Sequence, residues 1–351
     1  MENWEKNLRQ ITPYVPGEQP DFADMVKLNT NENPYPPAPG VARLMKELHS
    51  DKLALYPNPN AQALVEELSR QYHIDKDRIF FGVGSDDVLG MIFLTCFCSG
   101  KPVLFPDITY SFYDVWADLF RIPYERIPLD EEYRIRKEDY FRENGGIVIA
   151  NPNAPTSLAM GVSEIEDIVK ANPDSIVVVD EAYVDFGAES ALPLLDKYDN
   201  LLVVQTFSKS RSLAGMRIGF AFGSKRVISA IYAVRNSYNS YTLNYPAILC
   251  GAESLKDRAY FEETTAKIIK TRERVKKELA ELGFSFPDSK TNFLFATHKS
   301  VPAQELFKML REKHIFVRYW NKPRIDNRLR ITIGTDEQMD RLIAVLKEYF
   351  A

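Results

Sequence analysis

The chain of 351 residues reads as an α/β protein, a mostly parallel central sheet flanked by helices, with a smaller α+β unit attached. Three observations predict this. First, IVIA (Ile147 to Ala150), IVVVD (Ile176 to Asp180) and LLVVQTF (Leu201 to Phe207) are short, β-branched and almost wholly apolar, as strands covered on both faces must be. Second, segments with apolar residues at helical spacing, such as Val162 to Ala171, alternate with them. Third, the texture changes after about Tyr245, where long charged amphipathic stretches replace the alternation.

Taken in order, the N-terminal segment is turn-rich. Pro13, Pro16 and Pro20 precede NENPYPPAPG (Asn31 to Gly40), and the segment reads as an arm lying over the main body. Helix patterns follow at Val41 to His49 and Ala61 to Tyr72, interrupted by YPNPN (Tyr56 to Asn60). IFFGVGS (Ile79 to Ser85) runs as a strand into an apolar helix opening with Asp86 and Asp87, and PVLFP (Pro102 to Pro106) is strand-like. A long helix is expected from Tyr260 to Leu282, stopped by Gly283. After it come a strand (Asn292 to Ala296), a helix (Gln304 to Lys313), strands at Ile315 to Tyr319 and Leu329 to Ile333, and a last helix (Asp336 to Tyr349). The length suits about two domains. The expected division is a large domain over 30–245 and a small one made of 246–351 with the arm 1–29.

Composition removes several classes. The net charge of −5 leaves no global basic field to attract nucleic acid. The longest near-apolar stretch, Met91 to Cys98, falls far short of the roughly 20 residues of a membrane helix. The N-terminus, MENWEKNLRQ, lacks the apolar core of a secretory signal. Cys96 and Cys98 have the wrong spacing for zinc or redox pairs, and with Cys250 they read as buried free thiols in a reducing cytoplasm. No cluster of His and Cys suggests a metal site.

In open parallel sheets ligands sit beyond the carboxyl ends of the strands, so the residues after each apolar run are the candidates for chemistry. GVGSDD (Gly82 to Asp87) is either a glycine turn with an ordinary cap or a phosphate site built from free amides at a helix start. It is neither a dinucleotide fingerprint nor a P-loop, since Asp87 holds the third glycine position and no Gly-Lys-Ser/Thr follows. Asp180 ends a buried strand, where a carboxylate either caps the next turn or meets a cation, and Tyr183 brings a phenol to the same crevice. Lys209 follows a strand end between Ser208 and Ser210, with Arg217 eight residues later. Singly, such a lysine is most simply a solvated one. Together these residues offer an amine for a Schiff base, phosphate anchors at Gly84, Ser85, Asp86, Ser208 and Arg217, and a carboxylate for a pyridine nitrogen. That set suits pyridoxal 5'-phosphate.

The sequence resembles the fold-type-I pyridoxal-phosphate aminotransferases, which have the aspartate-aminotransferase-like fold. Within them it resembles the histidinol-phosphate aminotransferase family. ITPYVPG, LNTNENPYPPAP, LYPNP, GVGSDD, TYSFY, VVVDEAY, TFSKS–RSLAGMRIG, TNFLF and LRITIGT carry the likeness along essentially the whole chain. The resemblance implies that Lys209 holds the cofactor and shuttles the proton. Asp180 pairs with the pyridinium, Tyr183 bonds the ring hydroxyl and Tyr110 stacks on the ring. Ser85, Asp86, Thr206, Ser208 and Arg217 hold the phosphate. Tyr56 reaches the phosphate of a second subunit, which implies a homodimer. Tyr14, Asn31, Arg318 and Arg330 meet the substrate, with Arg330 the main anionic anchor. The implied reaction is ping-pong transfer of an amino group from L-histidinol phosphate to 2-oxoglutarate in histidine biosynthesis, through a Schiff base on Lys209.

This chain departs from the family pattern in places. Ala154–Pro155–Thr156–Ser157 stands where the family has Asn-Pro-Thr-Gly. The asparagine expected on the ring hydroxyl is thus displaced, and Asn153 is assigned its task. Ser157 in place of glycine implies that no positive φ is needed there. Ile108 replaces a common proline, and Arg211, where an apolar residue is usual, reads as a solvated arginine. Competing readings are an aromatic amino-acid aminotransferase, a threonine-phosphate decarboxylase of similar fold, and a cofactor-binding regulatory protein without catalysis.

Overall fold

Alternate residues of the apolar runs face two different cores, which is why the runs lack polar positions. Ile147, Ile149, Val177, Val179, Leu201 and Val203 enter one apolar cluster. Val148, Ala150, Val178, Leu202 and Val204 enter another on the opposite face. This follows from the two-residue period of a strand with helices packed on both sides. The computed structural model describes residues 4–351.

The elements in chain order are β1 (Val26–Lys27), α1 (Pro39–Glu47), α2 (Gln62–Tyr72), β2 (Ile79–Val83), α3 (Gly84–Cys96), β3 (Val103–Pro106), α4 (Phe112–Phe120) and β4 (Tyr124–Ile127). Then come β5 (Gly146–Ala150), α5 (Val162–Ala171), β6 (Val177–Asp180), β7 (Leu201–Thr206), β8 (Ile218–Phe222), α6 (Lys225–Tyr238), α7 (Tyr245–Lys256) and α8 (Arg258–Glu281). The chain ends with β9 (Phe284–Ser285), β10 (Phe293–His298), α9 (Ala303–Glu312), β11 (Ile315–Phe316), β12 (Arg318–Tyr319), β13 (Leu329–Thr332) and α10 (Asp336–Phe350). The seven-stranded sheet has the order β2-β8-β7-β6-β5-β3-β4. All its pairings are parallel except those of β8, which is antiparallel to both neighbours. A four-stranded antiparallel sheet, β12-β13-β10-β9, forms the heart of the smaller unit.

The single strand read at Ile315 to Tyr319 is two. Val26 and Lys27 of the arm pair in parallel with Ile315 and Phe316, while Arg318 and Tyr319 pair with β13 in the other sheet. Val26 and Leu28 are accordingly buried in the core of the smaller unit. The change of core falls later than residue 245. Helix α7, capped by the Asn244 side chain, which accepts from Ala247 N at 2.9 Å, buries Ala247, Ile248, Cys250 and Leu255 in the core of the large sheet. The smaller core takes over within α8, at Ile268, Val275 and Leu279. The stop at Gly283 is present, with φ +91°. Of the cysteines, Cys250 is buried, Cys96 is partly exposed and Cys98 is exposed, and all three are free, so Cys98 is not the buried thiol expected. No helix among the described residues is long and apolar enough to cross a membrane.

The 154–157 turn corrects the expectation for Ser157, which takes a positive φ of +66° although it carries a side chain. Its backbone is held from both sides: Ser157 N donates to Asn153 O at 2.8 Å, and Ser157 O accepts from Lys290 N at 2.9 Å. Its hydroxyl is buried without a partner. Ser157→Gly is therefore expected to stabilise the protein by about 0.5–1 kcal/mol, since relief of strain and of the orphaned hydroxyl outweighs glycine's freedom in the unfolded chain. A higher urea midpoint at unchanged slope is the measurement that checks it.

Candidate active site

Four of the parallel strands end at one edge of the sheet, and antiparallel β8 begins there. That topology gathers Ser85 and Asp86 (after β2), Ala150 (end of β5), Asp180 (end of β6), Thr206, Ser208 and Lys209 (end of β7) and Arg217 (before β8) around one cavity of ≈ 450 Å³. The smaller unit covers it with Arg318, Trp320 and Arg330, and the arm adds Tyr14 and Asn31. Thirteen of the sequence-predicted site residues therefore line one space.

The start of α3 forms an anion cup. Gly84 adopts φ +80°, and a Cβ there would lie 2.6 Å from the Arg217 guanidinium. A Cβ on Gly219 would lie 2.2 Å from Ser85 N, so only glycine lets β8 press against the helix start. The first-turn N–H groups of a helix have no intrahelical acceptors and carry the positive end of its dipole. Ser85 and Asp86 present such groups at the cavity. Gly84 itself does not line the cavity but makes the turn. The Asp86 carboxylate also ties two cavity residues together, accepting from Tyr110 Oη at 2.7 Å and from Arg217 Nη2 at 3.1 Å. The Ser208 amide donates to Thr206 Oγ1 at 3.1 Å, and the Thr206 hydroxyl donates to Ser208 Oγ at 3.0 Å, which fixes both hydroxyls beside the cup.

Asp180 is 5 % exposed, yet its partners are neutral: Tyr113 Oη donates to Oδ2 at 2.8 Å and Ala182 N to Oδ1 at 3.2 Å. Burial outweighs these bonds and pushes its pKa up to about 6. A buried carboxylate of this kind fits a cationic ring nitrogen, which would supply the missing countercharge. Lys209 Nζ donates to Thr30 O at 3.1 Å. Burial first, then the Arg330 charge, pull its pKa down to about 8, so part of the amine is unprotonated near neutrality.

Arg318 and Arg330 stand directly opposite each other in the β12–β13 register. The Trp320 indole lies 5.5 Å and 5.2 Å from their respective guanidinium carbons. Arg330 Nη2 donates to Asn29 O at 2.8 Å, and its Nε is buried without a partner. Among the described residues Arg318 donates only to the carbonyls of Val15 and Pro16. Two like charges placed opposite each other are unfavourable unless an anion joins them. The pair fits a carboxylate or phosphate.

Several assignments change. Asn153 faces away from the cavity: its amide donates to Ile108 O and Thr156 Oγ1, both at 2.9 Å, and its Oδ1 accepts from Thr109 Oγ1 at 2.7 Å. With every bond satisfied elsewhere it cannot take over the missing asparagine's task, and Ala154 lines the cavity instead. Asn31 lines the cavity, but its side chain is engaged with Tyr183 and Thr332. Tyr56 lies outside the cavity, 83 % exposed and stacked on Tyr241 at 4.7 Å. Arg211 is not solvated: it is 7 % exposed, donates to Ser254 O and sits 4.3 Å from the Phe261 ring centroid. Sequence reasoning missed Tyr113 and Trp320. Tyr113 is the second residue of α4, three after Tyr110, and Trp320 lies two after Arg318; those offsets were the available signals.

Residues 23–346 match the family described as aminotransferase class I and II. Over 347 residues the chain is 54 % identical to the histidinol-phosphate aminotransferase of Lactococcus lactis subsp. cremoris (strain MG1363), covering 99 % of this chain and 98 % of that one. Its fold is similar to that of the histidinol-phosphate aminotransferase from Sinorhizobium meliloti in complex with pyridoxal-5'-phosphate (TM-score 0.84, 24 % identity, covering 93 % and 90 % of the two chains). It is also similar to L-threonine-O-3-phosphate decarboxylase from Porphyromonas gingivalis (TM-score 0.80, 22 % identity, covering 93 % and 99 %). A transaminase and a decarboxylase thus share this fold, so the fold alone does not choose between them. Identity along nearly the whole chain does choose: the protein belongs to the histidinol-phosphate aminotransferase family of pyridoxal-phosphate-dependent transaminases.

Proposed function

We propose that the chain transfers the amino group of L-histidinol phosphate to 2-oxoglutarate, giving imidazole-acetol phosphate and L-glutamate, with pyridoxal 5'-phosphate as cofactor. The observation that carries this reading is the convergence on one cavity of Lys209, the uncompensated Asp180 carboxylate, and two opposed arginines without carboxylate partners among the described residues. Bound, the cofactor supplies an electrophilic carbonyl carbon and a protonated ring that takes up electrons. The α3 amides, Thr206, Ser208 and Arg217 would hold its phosphate, Tyr110 would hold the ring, and Asp180 would keep the ring nitrogen protonated. Tyr183 would donate to the ring oxygen. Lys209 provides the nucleophilic amine, then carries the substrate's α-proton as base and returns it as acid. Arg330 and Arg318 bind phosphate in one half-reaction and carboxylate in the other, since guanidinium forks suit both.

The test is a single-turnover assay without 2-oxoglutarate. Histidinol phosphate should convert the yellow holoprotein on the order of a hundredfold more efficiently than phenylalanine, because a phosphate dianion offers Arg318 and Arg330 more charge and more acceptor oxygens than phenylalanine's single carboxylate. Release of carbon dioxide from threonine phosphate at a comparable rate would overturn the reading in favour of decarboxylation.

Asp180 carries a second test. Its folded pKa lies above the unfolded value, so ionisation works against the cofactor-free fold as pH rises from about 4 through 6. Cofactor-free Asp180→Asn should match the parent at pH 4 and exceed its stability at pH 7 by on the order of 2–3 kcal/mol. Saturating cofactor should reverse the order. Thermal scans at both pH values read this out.

A second reading concerns assembly. Tyr56, Leu53, Leu55, Tyr238 and Tyr241 are exposed apolar or aromatic side chains, and Tyr56 stacks on Tyr241. We infer that a second copy covers this face and receives Tyr56 at its cofactor phosphate. Sedimentation of the holoprotein should give twice 40.3 kDa. We further propose a division into a cofactor domain ending after α7 and a small domain formed by α8 to α10 with the arm, and a cytoplasmic location consistent with the three free thiols.

A further inference from the structure

We propose that Thr332 is a positioning residue which, through Asn31, fixes the Tyr183 hydroxyl as a hydrogen-bond donor into the cavity. The inference rests on the reading of Tyr183 as the donor to the cofactor's ring oxygen and adds what aims it.

The bonds have a direction. Asn31 N donates to Thr332 Oγ1 at 3.1 Å, so that oxygen is an acceptor. The Thr332 hydroxyl proton is left one acceptor, Asn31 Oδ1, at 3.0 Å. Thr332 is 2 % exposed and Asn31 1 %, so neither can turn to water. Reversing the Asn31 amide would leave the Thr332 proton buried without an acceptor, an unfavourable state. The amide is therefore fixed with Nδ2 toward Tyr183 Oη, to which it donates at 2.9 Å. Tyr183 Oη thus already accepts, and its own proton is free to point into the cavity. Asn31 is held for this task from its backbone as well: it adopts φ +55°, and its carbonyl accepts from Asn292 Nδ2 at 3.0 Å.

Nothing else on that wall competes. Ala150, Pro152 and Ala154 line the cavity with no side-chain donor, and the Asn153 amide is turned away. The relay also joins three parts of the molecule: the arm (Asn31), the large sheet's crevice (Tyr183) and β13. Thr332 lies two residues after Arg330 on that strand, so the residue that aims the phenol and the residue that anchors the anion share one face of one strand. Docking of the small unit thereby sets both.

A donor on the ring oxygen stabilises its anionic form and lowers the pH at which the holoprotein's visible band titrates. Thr332→Val is nearly isosteric and removes only the hydroxyl. It should raise that midpoint by about half a unit or more, in the direction of Tyr183→Phe, while Thr332→Ser stays at the parent value. The charged groups around the phenol (Arg330, Lys209, Asp180 and Asp86) are unchanged in these variants, so the shift reports the hydrogen bond. Asn31→Gly, which tolerates the positive φ, is the second variant and should shift the midpoint likewise, so the test survives poor folding of one protein. A parent-like midpoint in Thr332→Val or Asn31→Gly, beside a shifted Tyr183→Phe, overturns the relay. A parent-like midpoint in Tyr183→Phe overturns the assignment of Tyr183 itself.

Discussion

Lys209→Ala is expected to slow both half-reactions by about 10⁴-fold or more while leaving a folded protein that still takes up pyridoxal phosphate. The reason is that one amine has two tasks, nucleophile and proton carrier, and no other lysine lines the cavity. The phosphate cup does not depend on it: the α3 amides, Ser208 and Arg217 are held by their own bonds, such as the Arg217–Asp86 pair at 3.1 Å. Borohydride reduction followed by intact mass should show a covalent adduct in the parent and none in the variant, with the cofactor retained on gel filtration of both. Measurable transamination by a fully purified variant would sink the assignment. The lowered pKa of about 8 adds a corollary. Burial and the Arg330 charge keep part of the amine unprotonated at physiological pH, so removing that arginine also returns the amine toward its ordinary, protonated range.

Arg330→Ala is expected to lower kcat/KM for both the amino donor and the keto acid acceptor by about 10²- to 10³-fold, the loss of a desolvated charge pair. Its Nε is buried without a partner, its one protein acceptor is the neutral Asn29 carbonyl, and Arg318 stands across from it. Such a guanidinium is short of an anion, and both substrates bring one. Arg330→Lys should recover only part of the loss, because an ammonium cannot reproduce the bidentate fork or the stacking on Trp320 at 5.2 Å. Single-turnover rates for the two substrates, measured separately, decide the matter. An effect confined to one of them would mean that the two anions do not share an anchor.

How much of this was legible beforehand depended on whether the signal was local. The strand ends were legible because a run buried on both faces must be apolar, so a polar residue at its end stands out: Asp180 after Val177–Val179, and Lys209 after Leu201–Phe207. The helix stop at Gly283 was legible because glycine alone takes the left-handed turn there at little cost, whereas Arg330, inside β13, was marked only by the family resemblance. Tyr113 was not, because its task depends on a contact with Asp180 across 67 positions of sequence. Arg211 looked solvated because an arginine usually is; only the packing of Phe261 and the Ser254 carbonyl makes its burial tolerable.

The sequence by itself determined the alternation of strands and helices, the chemistry at each strand end and membership of the family, since each is carried by neighbouring residues. The tertiary structure alone decided which way side chains turn within that frame. Asn153 spends its amide on Ile108 and Thr156 rather than the cavity, Ser157 accepts a left-handed backbone because Asn153 and Lys290 hold it, and α7 joins the large core rather than the small one. Each of these outcomes is set by partners far away in the chain. A buried polar group goes where its hydrogen bonds can be completed, and that is known only once the fold has brought those partners together.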